Sequence, residues 1–125
     1  MNKEEFKKQK YIKLFIDYIN QKNYSINTLD SYFKDLYYFY MYIKKDLIKI
    51  TEDDVRTYLE YLNKNKEKAS SVRRKISTFK SFYKFLYKNE YMDKKNYPLF
   101  RIVYPKVEKR LPKFIYYNDF AKINE

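Results

Sequence analysis

The side chains best suited to chemistry lie between Ala69 and Tyr91. On a helical wheel, one side of this stretch carries basic and hydroxyl groups: Arg73, Ser77, Lys80, Ser81, Lys84 and Lys88, with Arg74 close by. No acidic residue interrupts this side before Glu90. Guanidinium, ammonium and hydroxyl groups bind phosphates and base edges, and an α-helix fits the major groove. This side is therefore a candidate DNA-contacting surface, with a solvated bundle surface as the alternative.

The opposite side of the same stretch predicts one long amphipathic helix. Its apolar stripe consists of Val72, Ile76, Phe79, Tyr83 and Leu86, with Phe82 at the edge. Residues at this spacing share one face of a helix. We expect Ser70 or Ser71 to cap the helix and the stripe to pack on the helices that precede it.

Three earlier helices are expected to position this one. The first spans roughly 4–22 and the second roughly 27–44, with Ser25 or Asn27 as the cap between them. The second helix has its own polar surface, formed by Asn27, Ser31, Lys34 and Tyr38, which could approach a phosphate backbone. The third begins with the acidic, capping-box-like segment 51–54, which would repel DNA and is expected to pack behind the binding face.

The composition excludes several classes of function. The chain has 125 residues, enough for one ordinary domain, and it contains no Cys and no His. Thiolate metal sites and histidine catalysis are therefore excluded, and we predict no metal and no cofactor. A net charge of +12 favours a polyanionic partner, most simply nucleic acid. No apolar run reaches the length of a membrane span, which favours a cytoplasmic protein without a membrane partner.

The chain changes character after Tyr91. Pro98, Pro105 and Pro112 prevent one helix from running through this region, whereas residues 115–125 regain a helical pattern and then stop. This end suggests a truncated chain. Four helices with short connections predict an all-α bundle followed by a Pro-containing linker.

Four motifs follow one another along the chain. The first, residues 25–39 with the sequence SINTLDSYFKDLYYF, is similar to the second-helix signature of the tyrosine recombinases of the Xer and phage-integrase type. Residues 51–62 look like the third helix of that family, and 71–86, SVRRKISTFKSFYKFL, look like its fourth and most specific one. Pro105-Lys106 and 111–113 resemble the linker into the catalytic domain. Where the family often has Gly, this chain has Asn23, the residue that best tolerates a left-handed backbone after Gly.

The resemblance implies a fold and a set of DNA contacts. The fold is the four-helix, SAM-like core-binding domain at residues 1–95, followed by a linker at 96–114 and the start of a catalytic domain at 115–125. In the family the second and fourth helices face DNA. Residue by residue, the match carries over Asn27, Thr28, Lys34, Ser71, Arg73, Arg74, Ser77 and Lys80 as candidate DNA contacts, to which the basic face adds Lys84.

The resemblance also limits what this chain does. The family's catalytic tyrosine and its histidine-containing box lie beyond residue 125, so no catalytic residue is assigned and the chain is expected not to be an enzyme as it stands. Its expected partners are duplex DNA and other recombinase protomers on that DNA. The function implied is clamping of a recombination site for DNA recombination or integration. A non-catalytic helical DNA binder and a protein-interaction bundle remain alternatives.

Overall fold

The computed structural model describes residues 1–106, and this part of the chain is all-helical without a β-strand. The prediction of an all-α bundle is therefore confirmed. The five α-helices are α1 (Lys3–Lys7), α2 (Lys10–Asn20), α3 (Ile26–Ile43), α4 (Glu52–Lys64) and α5 (Ala69–Lys88). Two single-turn 3₁₀ helices, Leu47–Lys49 and Lys94–Asn96, follow α3 and α5. The expected extension from 107 to 125, including the proposed catalytic start, lies outside the described residues.

The first predicted helix, 4–22, is two helices, so that prediction was wrong. The chain leaves helical geometry at Gln9, whose backbone is extended with φ −63° and ψ 140°. In one continuous helix Phe6 would point about 180° away from Phe15, nine positions later, at 100° per residue. The break turns Phe6 back into the core, where its ring lies 5.7 Å from that of Phe33 and 5.3 Å from that of Tyr40.

The helix caps follow the sequence signals at two positions and depart from them at a third. Ser25 caps α3 by accepting a hydrogen bond from the Thr28 backbone, and Thr51 forms a capping box with Asp54. By contrast, α5 already begins at Ala69, after Lys68, which makes no side-chain cap hydrogen bond. The expectation of a Ser70 or Ser71 cap was wrong, because both serines already have helical backbone geometry.

Left-handed backbone occurs at four residues that are not glycine. Asn23 has φ 58°, as its residue type predicted, and Lys44, Lys66 and Glu90 have φ values of 53°, 59° and 64°. These residues follow the ends of α2, α3, α4 and α5. Glycine is preferred at such positions because a Cβ atom costs energy there. The chain contains no glycine, so the strain falls on side chains of other types.

Helix α5 packs against α2 and α3, and its buried face is wider than predicted. The predicted Ile76, Phe79, Phe82, Tyr83 and Leu86 are all buried. Phe85, Thr78 and Lys75 are buried as well, which the simple apolar stripe did not include. A helix covered from two sides buries more of its circumference than one lying on a surface.

The segment that follows α5 packs on the bundle. Tyr97, Leu99 and Ile102 are 8%, 2% and 6% exposed and belong to the same hydrophobic core as the helices. The Arg101 side chain also contacts α4, since its Nε atom lies 3.2 Å from a carboxylate oxygen of Glu52. These contacts hold the segment along the bundle as far as the end of the described residues.

None of the helices in residues 1–106 combines the length and apolarity needed to span a bilayer.

Candidate nucleic-acid interface

The predicted basic face of α5 is present and solvent-accessible. Arg73, Lys84 and Lys88 are exposed, and Ser77 and Lys80 are half-buried. The sequence of α5 contains six basic residues and no acidic one. Within residues 1–106, no carboxylate forms an ion pair with Arg73, Lys80 or Lys84. No carboxylate of the described residues therefore neutralises the positive charge of these three side chains.

Arg74 differs from the other basic residues because a buried carboxylate holds it. Asp35 of α3 is 1% exposed, and its oxygens accept hydrogen bonds from Arg74 Nε at 3.1 Å and Nη2 at 2.7 Å. Such a two-point contact is the strong form of an arginine–carboxylate pair. The hydrogen bond to Asp35 raises the pKa of Arg74, although burial acts in the opposite direction. Nevertheless, 46% of the Arg74 side chain remains exposed.

Two further residues of α5 complete the surroundings of Asp35. The Thr78 hydroxyl donates a hydrogen bond of 2.9 Å to Asp35 Oδ2. Lys75 Nζ lies 3.7 Å from Asp35 Oδ1 and 3.4 Å from Glu67 Oε2. A buried carboxylate is tolerated only when it is paired and hydrogen-bonded, and this cluster satisfies both conditions. It joins α3, α5 and the loop before α5 through polar contacts that run from the core to the surface.

Tyr104 lies over the basic face of α5. Its ring centroid is 4.8 Å from the Arg73 guanidinium carbon and 4.3 Å from Lys80 Nζ. Its hydroxyl is 3.1 Å from the Ser77 hydroxyl, and Arg73 Nη1 donates a 2.9 Å hydrogen bond to the Pro105 carbonyl. Cations are attracted to the face of an aromatic ring. The segment after the bundle therefore contacts three of the predicted site residues at once.

The predicted residues of α3 are distributed along that helix and do not form one cluster with α5. Thr28 lies in the first turn and shares a 3.0 Å hydrogen bond with the Ser25 hydroxyl, while the neighbouring Asn27 is exposed. Lys34 pairs with Asp30 at 2.9 Å, and the hydrogen bond to Asp30 raises the pKa of Lys34. Lys34 also lines a surface pocket that is formed where α1 and α2 meet α3. On α5, Ser71 is half-buried near the helix start.

A small basic cleft extends the surface toward the end of α5. It has a volume of about 190 Å³ and lies where the end of α2 and the start of α3 meet α5. Lys84 and Lys88 line it from α5, and Lys22 and Tyr24 line it from the connection between α2 and α3. The predicted Lys84 thus shares this cleft with Lys22, a cation from a distant part of the sequence.

Sequence reasoning assigned no site role to Asp35, Thr78, Tyr104 or Lys22. Asp35 was only part of a family motif, and Thr78 lay at the border between the apolar and polar sides of the helical wheel. Tyr104 lay between two prolines in the expected linker, where no helical periodicity indicates which way a side chain points. Asp35 likewise lies at the border of the apolar side of α3, so the helical wheel alone did not indicate that this charge is buried and requires a partner.

Residues 12–90 match the family described as phage integrase, N-terminal SAM-like domain. The chain belongs to this family. The matched residues contain α3, α4, α5 and all but the first two residues of α2, and with them Asp35 and the whole basic face. The resemblance to tyrosine recombinases is confirmed, and this SAM-like domain is the N-terminal domain type of those enzymes.

Curated relatives agree with the family assignment. The chain is 36% identical to a tyrosine recombinase XerC of Leptospira interrogans over 118 residues, which cover 90% of this chain and 37% of the relative. It is 32% identical to the XerC of Anoxybacillus flavithermus over 117 residues, which cover 90% of this chain and 38% of the relative. It is 36% identical to the XerD of Rickettsia bellii over 104 residues, which cover 81% of this chain and 33% of the relative.

The chain thus spans between a third and two fifths of the length of these relatives. No solved structure gives a significant match. The family match covers the N-terminal SAM-like domain and does not include a catalytic domain.

Proposed function

We propose that this SAM-like domain binds duplex DNA and clamps it at the recombination site of a tyrosine-type recombinase or integrase. The observation that carries the proposal is the face of α5, where Arg73, Lys80 and Lys84 lie free of carboxylate partners within residues 1–106. An α-helix with its side chains is about 10–12 Å across, and the major groove is about 12 Å wide. Helix α5 therefore has the shape and charge to enter that groove.

The proposed contact residues divide into two groups. The first lies on α5 and consists of Ser71, Arg73, Arg74, Ser77, Lys80 and Lys84. The second lies on α3 and consists of Asn27, Thr28 and Lys34. Since α3 packs against α5, both helices can meet one duplex, with α5 in the groove and the start of α3 near a phosphate backbone.

Contacts to other protomers on DNA are part of the same proposal. Tyr38, Tyr42 and Tyr61 are 50%, 37% and 44% exposed, and the rings of Tyr42 and Tyr61 lie 4.5 Å apart. Tyrosines are enriched where proteins meet one another. Sedimentation of the protein with a duplex that carries one or two half-sites would measure this assembly. The proposal also places the recombinase in the cytoplasm, where chromosomal DNA lies.

The test of DNA binding compares two charge-matched triple variants. Arg73→Gln, Lys80→Gln and Lys84→Gln together remove three cations from the proposed interface. Lys64→Gln, Lys66→Gln and Lys68→Gln remove the same charge from exposed positions at the end of α4 and in the loop that follows it. Arg74 stays in place, because its loss would leave Asp35 without its principal partner.

Fluorescence anisotropy with labelled duplexes, measured over a salt series, gives the readout. We expect the α5 variant to bind much more weakly than the loop variant. Its slope of log affinity against log salt should fall by roughly 0.9 for each lost phosphate contact, at most about 2.7 for three. Equal affinities and equal slopes would reduce the interaction to net-charge attraction and contradict groove docking.

A further inference from the structure

The pairing with Asp35 leaves one edge of the Arg74 guanidinium open. A guanidinium has five N–H groups, and Asp35 accepts one from Nε and one from Nη2. The three remaining N–H groups lie on Nη1 and on the outer side of Nη2. The bonded edge meets a carboxylate that is 1% exposed, whereas 46% of the Arg74 side chain remains exposed, so we assign the solvent-facing part to the adjacent Nη1–Nη2 edge.

We propose that Asp35 is a positioning residue for DNA recognition, which holds the Nη1–Nη2 edge of Arg74 toward the duplex before binding. This inference rests on the proposed function of α5 and adds to it a residue that never touches DNA. The open edge carries two parallel N–H groups. It can donate both to a guanine base or to a phosphate.

The buried surroundings explain why Arg74 is singled out among the cations of α5. Asp35 itself is fixed, because Thr78 donates to its Oδ2 atom and Lys75 lies beside its Oδ1 atom. Arg73 instead rests on Tyr104 and the Pro105 carbonyl, both of which belong to the segment after the bundle. A side chain that is ordered before binding avoids an immobilisation cost of about 2- to 10-fold in affinity.

Positioning and simple electrostatics predict opposite effects of removing the Asp35 charge. Asp35→Asn keeps the size of the side chain and removes one negative charge near the interface. Net-charge attraction alone would then strengthen DNA binding. Loss of positioning would instead weaken it by about 2- to 10-fold, because Arg74 must become ordered during binding.

The experiment measures duplex affinity for the full chain and four variants. Arg74→Ala should weaken binding at least about 5-fold, as expected for loss of a good bidentate contact. Asp35→Asn should weaken binding, and the double variant should bind no more weakly than Arg74→Ala alone. Tyr83→Phe is the control: it removes a buried hydrogen bond elsewhere in α5, to the Leu47 carbonyl, and leaves the surroundings of Asp35 intact, so its affinity should equal that of the wild type.

Arg74→Lys provides a second test if Asp35→Asn does not fold. Lysine keeps the charge and a partner for Asp35 but cannot present two parallel N–H groups. We expect its affinity to be close to that of Arg74→Ala. Wild-type affinity for Arg74→Lys, or unchanged or tighter binding by folded Asp35→Asn, would overturn the proposal.

A measurement without DNA separates this inference from the proposed function. In ¹⁵N NMR spectra, the Arg74 Nε–H proton should exchange slowly with solvent in the wild type and in Tyr83→Phe, and rapidly in Asp35→Asn. Fast exchange in the wild type would show that Asp35 does not hold Arg74. Failure of the wild type to bind any duplex, with a protected Arg74 signal, would instead reject the DNA-binding function.

Discussion

The hydroxyl of Tyr83 donates a 2.6 Å hydrogen bond to the backbone carbonyl of Leu47. Tyr83 is fully buried in α5, whereas Leu47 begins the 3₁₀ turn between α3 and α4. The bond therefore ties the central helix to a connection 36 residues earlier in the chain. A buried carbonyl that loses its donor retains the full cost of its desolvation.

Tyr83→Phe should consequently lower the free energy of unfolding by about 1–3 kcal/mol. The substitution keeps the ring and removes only the donor. Urea unfolding followed by circular dichroism would measure the change, with Tyr61→Phe as the control, since Tyr61 is 44% exposed. Equal stability of the two variants would contradict an energetic role for the bond.

The buried tyrosines predict a loss of stability in alkaline solution. Burial raises the pKa of Tyr83 and of Tyr58 well above 10.0 and raises the pKa of Tyr97 to about 12. Above pH 10 the unfolded chain releases these protons while the folded chain retains them, so the unfolded state gains stability. We expect the contribution of these tyrosines to the free energy of unfolding to be constant below about pH 9 and to fall as the pH rises beyond 10.

The Tyr83→Phe variant provides the control for this pH dependence. Since it lacks one of the three shifted groups, its stability should fall less steeply than that of the wild type. Denaturant melts at several alkaline pH values would compare the slopes. Parallel curves would show that Tyr83 does not contribute.

Leu86 is the point at which the central helix should be most sensitive to loss of volume. Its side chain is fully buried in the core that α5 shares with its neighbours. Leu86→Ala should therefore lower the free energy of unfolding by about 2–5 kcal/mol. Lys88→Ala, on the exposed side of the same helix, should change it by less than about 0.5 kcal/mol. A thermal melt that places both variants at the wild-type midpoint would reject the packing described for α5.

Lys44 offers a stabilising substitution. It ends α3 in the left-handed conformation, with φ 53° and ψ 40°. Lys44→Gly removes the steric cost of the Cβ atom, and we expect a gain of about 0.5–1 kcal/mol after the greater freedom of glycine in the unfolded chain is counted.

Lys13→Gly is the matched control for that substitution. Lys13 is an exposed lysine within α2, where glycine should instead cost about 1 kcal/mol. Equal effects of the two glycines on the denaturation midpoint would contradict a conformational explanation.

Helical periodicity was enough to predict which side of α5 faces the core. Apolar residues repeat along the region of α5 with a period close to that of a helix, and the predicted Phe79 and Leu86 are buried. The capping residues of α3 and α4 could also be predicted from the sequence, because the hydroxyls of Ser25 and Thr51 accept hydrogen bonds from backbone N–H groups only three residues away. The basic face followed from the same periodicity.

Contacts between residues far apart in the sequence determine how these faces combine. Asp35 and Arg74 are 39 residues apart, and Ser77 and Tyr104 are 27 apart, so no local spacing relates them. The break before α2 likewise depends on residues far away in the sequence, since Phe6 turns inward and packs beside Phe33 and Tyr40 of α3. Helix periodicity is a property of neighbouring residues, whereas the partners of a buried charge or ring are chosen by packing between helices.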